Sequence, residues 1–302
     1  MKYVIFIFFA ASIIGAITFW NDYVLHRTET SVVQDDQDAP SDPFLALEIA
    51  ARAAYVFDVQ KGIVLYEKNG ELQFPLASIA KVMSALVARE IAPDAIVTIT
   101  GENLAAEGDS GLLKEERWRI SDLIDFTLMT SSNDGARALA SIGAIGTGGG
   151  AKPEHLFVDY MNEKARALGM AQTFFLNETG LDEEVGISGA YGSAKDVATL
   201  FEYIIHVEPN LFSATTMESA RISSFDASHA ATNTNVIAAR IPGLIASKTG
   251  FTDLAGGNLA IAFEAGPLHP VIVIVFGSTE EGRFADVETL VHAAVTAINM
   301  EK

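Results

Sequence analysis

Two apolar runs in the C-terminal part of the sequence predict adjacent β-strands. They read NLAIAFEA at 258–265 and HPVIVIVFGS at 269–278, and each is bounded by Gly or Pro. Two further runs, AYVFDVQ and IVLYEKN, flank Lys61 and Gly62, a spacing typical of a β-hairpin. The pattern therefore places strands near both ends of the globular part of the chain.

Between these strands the apolar residues recur at helical spacing. After Ser78, for example, Val82, Met83 and Leu86 fall on one face among alanines. Predicted helices cover Leu45–Ala53, the segment after Ser78, two segments on either side of TSSND at 130–134, about Glu154–Leu168, about Ala194–His206, and Glu281–Ile298. Strands at both ends with helices between them predict an α+β domain.

The hydrophobic run at the N-terminus carries no charge. It extends from Tyr3 to Trp20, and as a helix it would span roughly 27 Å, close to the thickness of a bilayer core. Residues 1–20 are therefore predicted to form a transmembrane anchor or a signal segment, and the missing small-x-small cleavage site favours an uncleaved anchor. Lys2 favours an orientation with the rest of the chain outside the cytoplasm.

The segment 21–44 that follows is polar, acidic and contains two prolines. Such a composition predicts a disordered linker, because too little apolar surface is available to offset the entropy of ordering. A single folded domain is expected over residues 45–302, and it contains all of the candidate catalytic residues.

Composition narrows the possible functions. The chain has no cysteine, which excludes disulfides and thiolate metal sites. Its net charge of −19 argues against a nucleic-acid partner or binding to an anionic lipid surface. The six histidines lack the spacing of a metal site, and the stretch GTGGG lacks the lysine that ends a phosphate-binding loop, so no metal or cofactor is expected.

Three short motifs carry candidate chemistry. Ser78-x-x-Lys81 lies at the start of a predicted helix, Ser131-x-Asn133 lies between two predicted helices, and Lys248-Thr249-Gly250 precedes a predicted strand. The first motif alone is weak, since it occurs by chance in a chain of this length. The ordered set of three is typical of serine β-lactamases and penicillin-binding proteins.

The first motif can supply a nucleophile and its base. Residues three apart share a helix face, so the amine of Lys81 can reach the hydroxyl of Ser78. A serine is a poor nucleophile until a base removes its proton, and a lysine is a base only when neutral. We expect burial and a nearby positive charge, for which Lys248 is the candidate, to lower the pKa of Lys81. The backbone amide of Ser78, near a helix N-terminus, suits an oxyanion.

The other two motifs suit substrate binding and proton transfer. Ser131 is suited to relaying a proton to a leaving amine, and Asn133 to holding a substrate amide. Lys248 and Thr249 can bind a carboxylate by charge and hydrogen bonding. Gly250 lets the strand edge approach a substrate closely.

The chain resembles the D-alanyl-D-alanine carboxypeptidases, the low-molecular-mass penicillin-binding proteins. The resemblance extends from about Leu45 to Ile298 and includes YVFDVQKGIVLYEKN, ISDLIDFTLMTSSNDGARALA, TFFLNETGLDEE, KTGFTDLAGGNLA and GSTEEGRFADVETLV. Two positions depart from the family: Ala80 stands where threonine is frequent, and Ser132 where glycine is common.

The resemblance implies an antiparallel sheet flanked by helices, with an inserted helical lobe and the site between them. It implies that Ser78 is acylated, that Lys81 is its base, and that the backbone amide of Phe251 completes the oxyanion hole with that of Ser78. It also implies peptidoglycan stem peptides as substrate and β-lactams as covalent inhibitors.

Several functions remain open at this point. The first is a D-alanyl-D-alanine carboxypeptidase, and a D,D-endopeptidase is a close variant. A β-lactamase shares the motifs but needs rapid deacylation, and the glutamate in EPNLF, Glu208, stands at the wrong position between the second and third motifs. A non-enzymatic wall-binding or penicillin-sensing module is disfavoured because all catalytic residue types are present.

Overall fold

A computed structural model describes residues 42–105, 107–108, 111–144 and 153–300 of the chain. The predicted membrane segment at 1–20, most of the predicted linker and the GTGGG stretch lie outside the described residues. Within the described ranges no helix is long and apolar enough to cross a membrane.

Six α-helices and twelve strands make up the described fold. The helices are α1 Ala80–Ile91, α2 Ile120–Thr130, α3 Asn133–Ala140, α4 Pro153–Ala167, α5 Ala194–Val207 and α6 Gly282–Met300. The strands are β1 Ala53–Asp58, β2 Ile63–Lys68, β3 Phe74–Pro75, β4 Ile96–Thr98, β5 Arg117–Arg119, β6 Phe174–Phe175, β7 Ala190–Gly192, β8 Ser219–Ser223, β9 Ser228–Thr232, β10 Leu244–Thr252, β11 Gly256–Glu264 and β12 Pro270–Ser278.

The main sheet has five antiparallel strands in the order β10-β11-β12-β1-β2. The two apolar runs predicted from the sequence are β11 and β12, and the hairpin around Lys61 and Gly62 joins β1 to β2. The inserted segment between β2 and β10 contains helices α1 to α5. The predicted α+β class, with a helical lobe between strands of one sheet, is therefore confirmed.

The largest apolar cluster lies between this sheet and the C-terminal helix. Alternate residues of β11 and β12 point into it, because side chains on a strand alternate between faces. Its fully buried members on β11, β12 and α6 include Leu259, Ile261, Phe263, Val271, Val273, Val275, Val287 and Leu290. This packing fixes β10 at one edge of the sheet, where the third motif lies.

The prediction of a helix at Leu45–Ala53 is wrong. The backbone amides of Ala50 and Ala51 donate to the carboxylate of Asp286 at 2.8 and 2.9 Å, and β1 already begins at Ala53. Partners distant in sequence thus override the helical propensity of this segment. Phe44, expected in the linker, is buried in the same apolar cluster and stacks on Tyr66 with ring centroids 5.5 Å apart.

Candidate active site

The nucleophile candidate lies in a tight turn directly before α1. Ser78 is the middle residue of a 3₁₀ segment, Ala77–Ile79, and α1 begins at Ala80. Ala77 has a left-handed backbone, with φ of 48°. A non-glycine residue in this conformation is uncommon and costs energy, which the surrounding structure must offset. The turn thus places Ser78 at the N-terminal end of a buried helix, as the sequence predicted.

Lys81 faces inward and is fully buried. Its Nζ donates to Ser78 Oγ at 2.8 Å and to the carbonyl oxygen of Thr179 at 2.7 Å. Burial lowers the pKa of Lys81 to about 7, against an opposing effect of the Glu178 carboxylate. The predicted contact between amine and hydroxyl is present, and near neutral pH a substantial fraction of this amine lacks its proton.

The carbonyl that holds Lys81 belongs to a loop fixed by a single asparagine. Asn177 Oδ1 accepts from the backbone amides of Thr179 and Gly180 at 3.1 and 2.7 Å. Gly180 has φ of 76°, and a side chain there would collide with the carbonyl oxygen of Ala77. The loop therefore packs directly on the turn that carries Ser78, and only glycine fits at the contact.

The second motif occupies the junction of two helices. Ser131 directly follows the last residue of α2 and has a left-handed backbone conformation, with φ of 60°. Ser132 then caps α3, because its side chain accepts from the backbone amide of Gly135 at 2.8 Å. This cap gives a structural reason for the serine at position 132.

Asn133 is the first residue of α3, and the nitrogen of its side-chain amide is hydrogen-bonded. Its Nδ2 donates to the carbonyl oxygen of Glu107 at 2.8 Å. Its Oδ1 is buried and has no hydrogen-bond partner among the described residues. A buried acceptor without a partner costs free energy, and a substrate N–H could satisfy it.

The third motif lies inside the edge strand β10 and not before a strand. Lys248 is buried, and its Nζ donates to Ser131 Oγ at 2.7 Å and to the carbonyl oxygen of Thr249 at 2.8 Å. The second and third motifs are therefore in direct contact. Burial, followed by the charges of Lys81 and Arg283, lowers the pKa of Lys248 well below its usual value.

The cause of the lowered pKa of Lys81 differs from the one expected from the sequence. Lys248 was expected to supply the positive charge that lowers the pKa of Lys81. Burial accounts for the lowered pKa of Lys81, and Lys248 is itself disfavoured from holding a proton.

Gly250 is the point where the strand meets the nucleophile's turn. A Cβ added there would lie 2.9 Å from the carbonyl oxygen of Leu76, so its small size already serves a protein contact as well as any approach of a substrate. The carbonyl of Gly250 accepts from Arg283 Nη1 at 2.8 Å. The next residue, Phe251, is 43% exposed at the edge of the sheet.

A buried asparagine links the main sheet to the segment before Ser78. Asn258 of β11 donates through Nδ2 to the carbonyl oxygens of Pro75 and Leu76, at 2.9 and 3.2 Å. These carbonyls directly precede the turn that carries Ser78. The motif serines, lysines and Asn133 thus converge where α1, the α2–α3 junction and β10 meet.

The family model described as D-alanyl-D-alanine carboxypeptidase matches residues 36–280. The chain belongs to this family.

Curated relatives agree with this assignment. DacF of Bacillus subtilis is 29% identical over 251 residues, which cover 81% of this chain and 62% of DacF. DacB2 of Mycobacterium tuberculosis is 31% identical over 234 residues, which cover 77% of each protein. Both are named D-alanyl-D-alanine carboxypeptidases. The chain thus spans less than two thirds of the length of DacF.

Solved structures show the same fold. A D-alanyl-D-alanine carboxypeptidase from Mycobacterium tuberculosis superposes with a TM-score of 0.74 at 25% identity, covering 88% of this chain and 96% of that one. A penicillin-binding protein from Listeria monocytogenes, crystallised with ampicillin, gives a TM-score of 0.70 at 29% identity and covers 82% and 98%. The carboxypeptidase family thus accounts for nearly the whole described domain.

Sequence reasoning missed several residues of this carboxypeptidase-family site. They are Asn177, Glu178, Thr179, Asn258 and Arg283. An Asn-x-x-Gly spacing such as that of residues 177–180 indicates a turn, and this signal could have been used. The role of Thr179 has no sequence signal, because the atom that holds Lys81 is a backbone carbonyl that every residue possesses.

Two of the histidines pair with buried carboxylates. His229 Nε2 pairs with Glu116 at 2.6 Å, and His269 Nε2 pairs with Asp58 at 2.8 Å. In the part of the chain that the structure describes, no group of three or more His, Asp or Glu side chains is arranged to hold a metal ion.

Proposed function

We propose that the protein is a serine D-alanyl-D-alanine carboxypeptidase that removes the terminal D-alanine from peptidoglycan stem peptides through an acyl-enzyme on Ser78. The observation that carries the proposal is the contact of the buried Lys81 with Ser78, in which Lys81 Nζ lies 2.8 Å from Ser78 Oγ. Because the pKa of Lys81 falls to about 7, a neutral amine is available beside the hydroxyl.

Acylation follows from this pair. Lys81 takes the hydroxyl proton while Ser78 Oγ attacks the carbonyl carbon of the penultimate D-alanine. The backbone amides of Ser78 and Phe251 stabilise the oxyanion. The C–N bond to the terminal D-alanine then breaks, and the proton that Lys81 took from Ser78 passes through the hydroxyl of Ser131 to the leaving nitrogen. Water later releases the shortened peptide from Ser78.

The strand side binds the end of the substrate. The terminal carboxylate accepts from Thr249 and draws a proton onto Lys248, because a nearby negative charge favours the protonated amine. The unpartnered Oδ1 of Asn133 accepts a peptide N–H of the substrate. The side chains of Thr249, Lys248 and Asn133 thus recognise a peptide that ends in a free carboxylate.

A D,D-endopeptidase is the second candidate. It is supported by a relative in Pseudomonas aeruginosa named D-alanyl-D-alanine endopeptidase, 30% identical over 254 residues that cover 82% of this chain and 77% of that protein. A cross-linked peptide dimer separates the two activities, since only an endopeptidase splits it into monomers.

The β-lactamase alternative lacks a suitable glutamate at EPNLF. Glu208 follows α5 and pairs with Arg89, with Nε and Oε2 3.4 Å apart. Arg89 lies eight residues beyond Lys81 in the same helix, about 12 Å along its axis. Glu208 is thus directed to the far end of α1, away from an ester on Ser78.

The location of the enzyme is proposed from residues 1–20. The uncharged run from Tyr3 to Trp20 anchors the chain in the membrane, with the catalytic domain outside the cytoplasm. Protease added to spheroplasts should then digest the domain. A domain that resists until the membrane is lysed would show that the orientation is wrong.

The activity is tested by incubating the full-length protein with a stem pentapeptide and, separately, with a penicillin, and following both by mass spectrometry. We expect repeated release of D-alanine from the peptide and a long-lived penicilloyl adduct on the protein. Rapid hydrolysis of penicillin without release of D-alanine would instead identify a β-lactamase.

A further inference from the structure

Thr234 lies between the two sides of the site and belongs to none of the three motifs. Its Oγ1 is 2.6 Å from Oγ1 of Thr249, and either atom could be the donor. Its backbone amide donates to the carbonyl oxygen of Met129 at 3.1 Å. Met129 is in the last turn of α2, which ends at Thr130 directly before Ser131. One residue therefore contacts both the carboxylate-binding strand and the helix of the second motif.

The backbone on either side of Thr234 is held by buried side chains. Asn233 Nδ2 donates to the carbonyl oxygens of Thr215 and Met217, both at 2.8 Å. Asn233 Oδ1 accepts from the backbone amide of Asn235 at 2.8 Å, which closes a turn around Thr234. The segment cannot move without breaking several buried hydrogen bonds.

The same anchor also holds β10. Thr215 Oγ1 accepts from the backbone amide of Ser247 at 3.0 Å, and its carbonyl oxygen accepts from Ser247 Oγ at 2.9 Å. Thr215 thus ties both the segment before Thr234 and the strand before Thr249. Because Thr215 holds both segments, the fold fixes the hydroxyls of Thr234 and Thr249 relative to each other.

We propose that Thr234 is a positioning residue for substrates that end in a free carboxylate, acting through the hydroxyl of Thr249; the proposal rests on the function proposed above. A carboxylate can only accept hydrogen bonds, so Thr249 must donate its proton to it. The oxygen of Thr249 is then left to accept, and Thr234 is the donor. Thr234 O–H thereby orients and polarises the hydroxyl that holds the carboxylate.

The test compares a penicillin with its methyl ester on the full-length protein. The second-order rate of acylation is measured for the acid and for the ester by intact-protein mass spectrometry in wild type, Thr234→Val and Thr234→Ser. We expect Thr234→Val to lower the preference for the acid over the ester about tenfold, with the ester rate nearly unchanged. Thr234→Ser, which keeps the hydroxyl, should retain the wild-type preference.

A second readout uses the peptide substrate. In Thr234→Val, KM for a stem pentapeptide should rise with little change in kcat, because the carboxylate contact acts equally in the ground and transition states. Thr232→Val, at an exposed position two residues earlier, serves as the matched control and should behave as wild type.

Two outcomes overturn the proposal. One is an equal loss for acid and ester in Thr234→Val, which indicates general damage to the site. The other is an unchanged preference for the acid. Thr234→Ala gives a second deletion of the hydroxyl if the valine variant does not fold. Because acylation by a β-lactam does not require peptidase turnover, a protein that releases no D-alanine would refute the proposed activity while leaving this comparison intact.

Discussion

The two sides of the site each contain a buried lysine with the same kinds of partner. On the helix side, Lys81 donates to a serine hydroxyl and to a backbone carbonyl. On the strand side, Lys248 does the same. The lysines differ in the charges around them: the Glu178 carboxylate acts on Lys81, whereas Lys81 and Arg283 act on Lys248.

This difference separates two chemical tasks. The carboxylate near Lys81 offsets part of the effect of burial, so that its pKa stays near 7 and the amine can both take up and release a proton. The cations near Lys248 add to the effect of burial and lower its pKa further. A bound anion would offset these positive charges, so this side favours anion binding. Equal burial thus produces a base on one side and an anion-binding site on the other.

The largest expected effect distinguishes Ser78 from Ser84, a serine in the helix that follows Ser78. Ser78→Ala should abolish the penicilloyl adduct, because no other hydroxyl contacts Lys81 in the described ranges. Ser84, one turn beyond Lys81, donates instead to the carbonyl oxygen of Glu178 at 2.6 Å. Ser84→Ala is the matched control and should still be acylated; an adduct on Ser78→Ala would refute the assignment of the nucleophile.

The second effect compares the two lysines directly. Lys81→Ala should slow acylation by penicillin and peptide about 10³-fold, the usual contribution of a general base. Lys248→Ala should slow both less, about 10- to 100-fold, since it removes a carboxylate contact and leaves the base. Stopped-flow acylation kinetics give both rates, and the reverse order of effects would exchange the roles of the two lysines.

Much of the site was predictable because its first motif lies within one helical turn. The contact between Ser78 and Lys81 follows from their spacing, and the strands β11 and β12 follow from their apolar runs. The break between α2 and α3 follows from TSSND. In each case the determining interactions lie within a few residues of one another.

The rest depends on partners distant in sequence. Residues 45–52 form turns, bends and irregular backbone instead of a helix, and Asp286 binds the amides of Ala50 and Ala51; no local pattern reveals this contact. The charge that acts on Lys81 comes from Glu178, which lies 97 residues further along the chain and belongs to none of the three motifs.

 Folding brings this carboxylate close enough for its charge to act on the amine of Lys81. The contact between Thr234 and Thr249 likewise forms only when the segment after β9 meets β10.

The smallest expected effect is a shift in pH dependence. Glu178 favours the protonated form of Lys81, so Glu178→Gln should lower the pKa of Lys81 further and move the rise in acylation rate to lower pH. Glu183→Gln, an exposed change in the same loop, is the matched control and should leave the profile in place. A shift to higher pH in Glu178→Gln would contradict the account of the field on the helix side.

The pH dependence of acylation in the wild-type protein tests the central claim most directly. If neutral Lys81 is the base, the second-order rate of acylation by a penicillin should rise with pH and level off, with its half-maximum near pH 7. The penicillin carboxylate stays ionised throughout this range, so the rise reports on the enzyme. A rate that is flat between pH 5 and about 9, or that rises only near the usual pKa of a lysine, would contradict a buried neutral base at Lys81.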